Sequence, residues 1–142
     1  MDEVSRIQTK LGEIRQYLNE IETRLPGSLD DYLTSDLTLR RTFERDLQLI
    51  SECQFEILSI LTRLKDIGIA SSENGLIDKF RKILSFKTIE NIRELRRMRN
   101  TLTHTYANER YDESVFVSAL SLKKVRLFIE EVENLIKPTG KT

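Results

Sequence analysis

Between residues 4 and 25 the apolar side chains recur at alternating spacings of three and four without a miss. Val4, Ile7, Leu11, Ile14, Leu18, Ile21 and Leu25 draw one continuous stripe. A stripe of that period exists only on an α-helix, since a strand repeats every two residues. It predicts one long amphipathic helix from about Asp2 to Arg24, ended by Pro26-Gly27. A stripe this regular must be covered, either in a coiled coil or, more simply, within a bundle of its own chain's helices.

The same rhythm returns downstream and gives an all-α reading. A short turn of helix is expected at Leu29–Leu33, capped by Ser28. Ser35 or Asp36 then caps a second long helix, along which Leu39, Phe43, Leu47, Ile50, Gln54, Ile57, Leu61 and Leu64 recur as far as Asp66. Its charged residues Arg40, Arg41, Glu44, Arg45, Asp46 and Glu52 read as a solvated face. Ala70–Gly75 reads as a loop too short to separate domains. Leu76–Phe86 reads as a short helix with Leu76, Ile77, Phe80, Ile83 and Leu84 inward, and Ser85 or Thr88 caps the next. Ala107–Tyr111 reads as a loop. Asp112 then caps a last helix through Val115, Phe116, Leu120, Val125, Phe128, Val132, Leu135 and Ile136, bent near Ser118–Ser121, before a frayed tail at 137–142. The expectation is one domain over residues 1–142, a bundle of about four long helices with short ones between.

Composition narrows the function classes. Of 142 residues 39% are hydrophobic, enough for one core. The 23 basic and 23 acidic residues cancel, so no global positive field marks a nucleic-acid binder, and any RNA contact must be local. One cysteine, Cys53, forbids an internal disulfide and suits a reducing cytosol, where its simplest role is a buried small hydrophobe. There is no apolar leader at the start and no run of ~20 apolar residues to cross a bilayer. A cytoplasmic protein without a membrane anchor is expected. One histidine and one cysteine far apart make no zinc site, and no cofactor or metal is expected. Gly140-Lys141-Thr142 lacks the strand, earlier glycine and following helix of a phosphate loop.

The chemistry concentrates in Arg93–Tyr111. Four arginines, Arg93, Arg96, Arg97 and Arg99, precede the only histidine, His104, and Tyr106 and Tyr111 follow. Arginine offers a permanently charged fork that fits phosphate, and histidine exchanges protons near neutral pH. That pairing suits phosphodiester cleavage, although a histidine among arginines on a helix is more often solvated or a cap. Ile92, Leu95, Leu102 and Tyr106 form an apolar seam whose missing position is Arg99. A cation there needs a partner, a bound anion or a wet cleft, unless its stem snorkels to solvent. Five residues turn an ideal helix ~500°, which leaves Arg99 and His104 ~140° apart. Arg93, Arg97, Asn100 and His104 share a different stripe. Either the helix distorts near Thr103, or a second copy crosses the first.

Arg99-Asn100-x-x-x-His104-x-Tyr106 resembles the Arg-x4–6-His signature of the HEPN ribonuclease superfamily. It is most similar to the HepT-like toxin branch, in which a tyrosine follows the histidine by two. KLGEIRQYLNEI, FERDLQLISECQFEIL and the late acidic turn before the last helix sit where HepT-like proteins have their counterparts. The resemblance implies an HEPN-like bundle that forms a homodimer through the motif helix, with both motifs facing one cleft. It also implies the toxin half of a toxin–antitoxin pair, a metal-independent endoribonuclease acting on RNA rather than DNA. Arg99 and His104 would be catalytic and Asn100 a supporting residue. The implied partner is an MNT-type nucleotidyltransferase antitoxin that transfers AMP onto Tyr106, with Tyr111 the competing acceptor. Thr101 and Thr103 stand where the branch usually has aliphatic residues, and Thr105 where it often has glycine. Two other readings fit the residues: a catalytically silent module that binds the nucleotidyltransferase or a nucleotide, and a purely structural dimeric bundle.

Overall fold

The computed structural model describes the backbone of residues 2–104 and 109–138, and within those spans the side chains of all but 102–104 and 109–111. Seven helices, and no strand, are found among these residues: α1 Glu3–Arg24, α2 Leu29–Leu33, α3 Leu37–Leu64, α4 Glu73–Lys79, α5 Phe86–His104, α6 Glu109–Leu120 and α7 Leu122–Ile136. The expected tail from 139 onward lies outside the described residues.

The caps explain most boundaries. Asp2 accepts from the Ser5 amide at 2.7 Å and opens α1, and Ser28 and Asp36 open α2 and α3 in the same way. Leu25, held extended by the following Pro26, closes α1. The end of α3 is a Schellman turn. The Ile67 amide donates to the Thr62 carbonyl at 2.9 Å and the Asp66 amide to that of Arg63 at 3.3 Å. Asp66 takes the left-handed conformation there, φ 53°, which a short polar side chain tolerates. Gly68 follows at φ 102°, a value that only glycine adopts cheaply.

The core is one continuous cluster, and α3 lies at its centre. It packs against α1, α5, α4 and α6, while α5 also packs on α7 and α2 on α6. The predicted stripe of α1 is used from Ile7 onward: Ile7, Leu11, Ile14, Leu18 and Ile21 are buried, and Leu25 packs at the edge, while Val4 is only half-buried. Cys53 is buried as expected, and burial pushes its thiol up to about 12. Beside it, Gln54 donates to Asn91 at 3.0 Å, a buried amide pair that sets the register of α5 on α3.

Four expectations are corrected. The span Leu76–Phe86 is not one helix: α4 already begins at Glu73, within the expected loop, because Ser72 accepts from the Gly75 amide at 3.0 Å. After Phe80 the chain makes a turn, which leaves Ile83 exposed rather than inward. Glu131 of α7 then takes the Ser85 amide at 2.8 Å and the Thr88 hydroxyl at 3.0 Å, while Ser85 accepts from the Thr88 amide and opens α5. Second, Glu109–Tyr111 is helical, not loop, and Asp112 lies inside α6 rather than capping it. Third, the bend near Ser121 is a full break. Leu120 is exposed as a result, while Ala119 and Leu122 are buried. Fourth, the charges of α3 are not all solvated: Glu44 and Asp46 are buried.

Asp46 faces Glu20 and Arg24 of α1. Burial first, and the Glu20 carboxylate second, push its carboxyl from 3.8 up to about 7. Between those values the folded state binds a proton that the unfolded chain has lost, so stability falls as pH rises through this window. Asp46→Asn removes the dependence. Thermal unfolding should show the variant gaining more over wild type at pH 8 than at pH 4.

Candidate active site

The motif helix α5 presents three different surroundings along one length. Ile89, Ile92, Leu95 and Met98 enter the core. Arg97 and Asn100 lie on its outer side, where Thr101 donates to the Arg97 carbonyl at 2.9 Å. Arg99 continues the buried seam and turns toward α3 and α4.

Its partner is Glu73. One carboxylate oxygen, Oε1, accepts from Arg96 Nε at 2.9 Å and from Arg99 Nη2. The Arg99 guanidinium also lies 5.3 Å from the centroid of the Phe55 ring, a cation–π contact. Of the alternatives for a cation in the seam, an internal partner is therefore the one realised. Arg99 retains only 16% side-chain exposure and Glu73 34%, so the pair sits at the mouth of a cleft rather than in bulk water. This cleft, about 600 Å³, lies between α3 and α4 and is lined by Glu52, Phe55, Glu56, Ser71, Glu73 and Arg99 among others. Arg93 makes a looser contact with Asp78 at 3.8 Å.

The helix stays α-helical through His104, its last residue. Positions 99 and 104 are therefore ~140° apart around one axis, and no distortion near Thr103 brings them together. The side chains of Leu102, His104 and Tyr111, and all of Tyr106, lie outside the described residues. Asn100 is half-buried at the outer face.

Phe55 and Glu73 were not picked out by the sequence as site residues. Phe55 is one more apolar residue of a long helix. Glu73 lay in a stretch read as loop, though Ser72 before Leu76-Ile77 is a readable helix start. Only the packing of α4 beside α5 gives either one meaning.

Beyond the motif, α6 is anchored by a second polar cluster. Arg40 Nη1 donates to Asp112 Oδ2 at 2.8 Å, Arg41 lies 3.6 Å from the other oxygen, and Arg41 also pairs with the buried Glu44. Tyr32 is fully buried against Phe43 and Phe116, with ring centroids at 5.8 and 5.3 Å. Burial, and then the Asp112 charge, push its hydroxyl upward. Glu44 is likewise raised by burial, in part offset by Arg41. This cluster ties α6 to α2 and α3.

Among the described residues, no group of three or more histidine, cysteine, aspartate or glutamate side chains is arranged to hold a metal ion. No described helix is long and apolar enough to cross a membrane.

In sequence, residues 14–132 match the model of the ribonuclease HepT-like family. The chain belongs to that family. No curated protein matches it. Solved structures share its fold. A tri-AMPylated HEPN toxin of Shewanella oneidensis, in complex with an MNT antitoxin, aligns with TM-score 0.77 at 20% identity, over 94% of this chain and 99% of that one. A mutant of the toxin–antitoxin MntA-HpeT aligns at 0.78, again 20% identical, with the same coverage. A toxin–antitoxin with AMP-PNP aligns at 0.76 and 20%, covering 93% of this chain and 99% of that one. The HepT-like match contains Arg99, Asn100, His104 and Tyr106 within its span.

This HepT-like chain should be sensitive where α6 is tied down. Asp112→Ala leaves Arg40 without its carboxylate, while Arg41 keeps Glu44, and should cost about 3 kcal/mol of unfolding free energy by urea denaturation. A loss below about 1 kcal/mol would mean that the pair is no more than a surface bridge.

Proposed function

We propose that this chain is the toxin of a toxin–antitoxin pair and a metal-independent endoribonuclease. The observation that carries the reading is the family match across residues 14–132, with Arg99 and His104 at the end of one unbroken helix inside it. The likeness in fold to toxins held by MNT antitoxins supports it further.

In this mechanism His104 exchanges a proton with the ribose 2′-hydroxyl or with the leaving oxygen, and Arg99 binds the scissile phosphate and offsets its added charge. The 2′-hydroxyl is the internal nucleophile. Only RNA therefore reacts, and a cyclic phosphate remains. Because positions 99 and 104 diverge on one helix, the working cleft takes Arg99 and His104 from two copies, and the active species is a homodimer built on α5. Asn100 orients its neighbours at that contact. The antitoxin, an MNT-type nucleotidyltransferase, silences the toxin by moving AMP from ATP onto Tyr106. The added phosphate then occupies the place of the RNA backbone and repels it. The fold neighbour described as tri-AMPylated is consistent with such a modification.

One feature favours the alternative, a silent module that only binds its partner or a nucleotide. Arg99 is engaged by Glu73, and Glu52 and Glu56 line the same cleft, so three carboxylates stand where a phosphate is to approach.

Three measurements separate these readings. His104→Ala and Arg99→Ala should each cut RNA cleavage by ~10²–10⁴ without unfolding the protein, and chelators should not. Undiminished cleavage by the His104 variant would remove the ribonuclease assignment, and inactive wild type would leave the silent module. Light scattering at micromolar concentration should give the mass of a dimer. Incubation with the nucleotidyltransferase, ATP and Mg²⁺ should add AMP to Tyr106 in peptide mass spectra, and adducts on Tyr111 alone would overturn that switch.

A further inference from the structure

We infer that Glu73 is a positioning residue for Arg99: the first residue of α4 holds the motif arginine in the orientation from which it meets the scissile phosphate. The inference rests on the reading of Arg99 as the phosphate ligand.

An arginine side chain has many rotamers, which a site must restrict before the guanidinium can act in a fixed place. Here two contacts of different kinds restrict them beforehand. Glu73 Oε1 takes Nη2 by a charge-assisted hydrogen bond, and the Phe55 ring lies 5.3 Å from the guanidinium carbon. The ring is itself buried, so it is a fixed floor rather than a mobile neighbour. Glu73 is fixed in turn. It opens α4, whose first turn is closed by Ser72, and its oxygen is shared with Arg96, one turn earlier on the same face of α5. Two guanidinium groups and one carboxylate sum to +1, but Glu52 and Glu56 of the same cleft oppose that charge, so what Glu73 supplies is the aim of the guanidinium and not net attraction. A guanidinium has donors on three nitrogens in one rigid plane, so the Nη2 contact to Glu73 sets the direction of the whole group. The arrangement is that of a cation braced from behind.

A residue that acts by aiming another should change turnover more than binding, and its effect should vanish when the aimed residue is gone. The experiment measures steady-state and single-turnover cleavage of one RNA by wild type, Glu73→Gln, Arg99→Ala, the double variant and His104→Ala. Glutamine keeps an acceptor oxygen and loses the charge. Expected are a kcat about 10- to 100-fold lower for Glu73→Gln with KM within about twofold, and no further loss in the double variant beyond Arg99→Ala. Glu73→Asp, which keeps the charge but shortens the reach, should fall in the same direction by less, and serves if the glutamine variant does not fold. Full activity of Glu73→Gln beside dead Arg99→Ala and His104→Ala would overturn the inference and leave the ribonuclease reading intact. A lower KM or faster cleavage in Glu73→Gln would overturn it too, since Glu73 would then be competing with the substrate. Losses that add in the double variant would reduce Glu73 to a general stabiliser. Activity in all five proteins would instead defeat the reading of Arg99 and His104 on which the inference rests.

Discussion

A helix packed from four directions has little water for its polar side chains, and α3 is such a helix. Every polar group buried along it must find a partner in a neighbour or carry the cost of burial. That constraint accounts for much of the rest of the molecule. Gln54 meets Asn91 and so fixes α5; Arg40 and Arg41 meet Asp112 and so fix α6; Asp46 meets Glu20 and Arg24 of α1. The apolar stripes decide which faces meet, and these polar pairs decide at what register.

The motif helix inherits its position from that arrangement. With Asn91 pinned to Gln54, the next turns of α5 run past Phe55 and bring Arg99 to the rim of the α3–α4 cleft. Arg99 is thus an arginine at a seam position that the core tolerates because Glu73 and an aromatic face are there to receive it. Glu131 of α7 performs the related task at the other end, taking up the Ser85 and Thr88 donors where α5 begins. The helix that bears Arg99 and His104 is held at its start, its middle and its cation by three different elements.

The same packing keeps the outer side of α5 separate from the cleft. Arg97 and Thr101 remain exposed, and Val117 and Leu120 of the adjoining α6 are exposed as well. A continuous helix cannot aim positions 99 and 104 at one point, because its pitch sets their directions ~140° apart. That divergence is the reason a second chain enters the proposed reaction.

By itself the sequence determined the helices whose signals are local. The unbroken stripe of α1, the Ser28 cap of α2 and the choice of Ser35 or Asp36 to cap α3 need only neighbours within a turn or two. The motif was equally local, since Arg99, Asn100, His104 and Tyr106 lie within eight residues. What the tertiary structure decided is every feature whose cause lies on another element. Glu44 and Asp46 were indistinguishable from solvated charges until α1 and α6 covered them. Leu76–Phe86 looked like one helix because nothing nearby in the chain announces that Glu131 will draw Ser85 away from it. Asp112 looked like a cap because its arginines are some seventy residues earlier. Periodicity reports which face of a helix is to be buried, and not which residues will meet it there. An ion pair between helices leaves no trace in either one until the chain has folded and water has been excluded from between them.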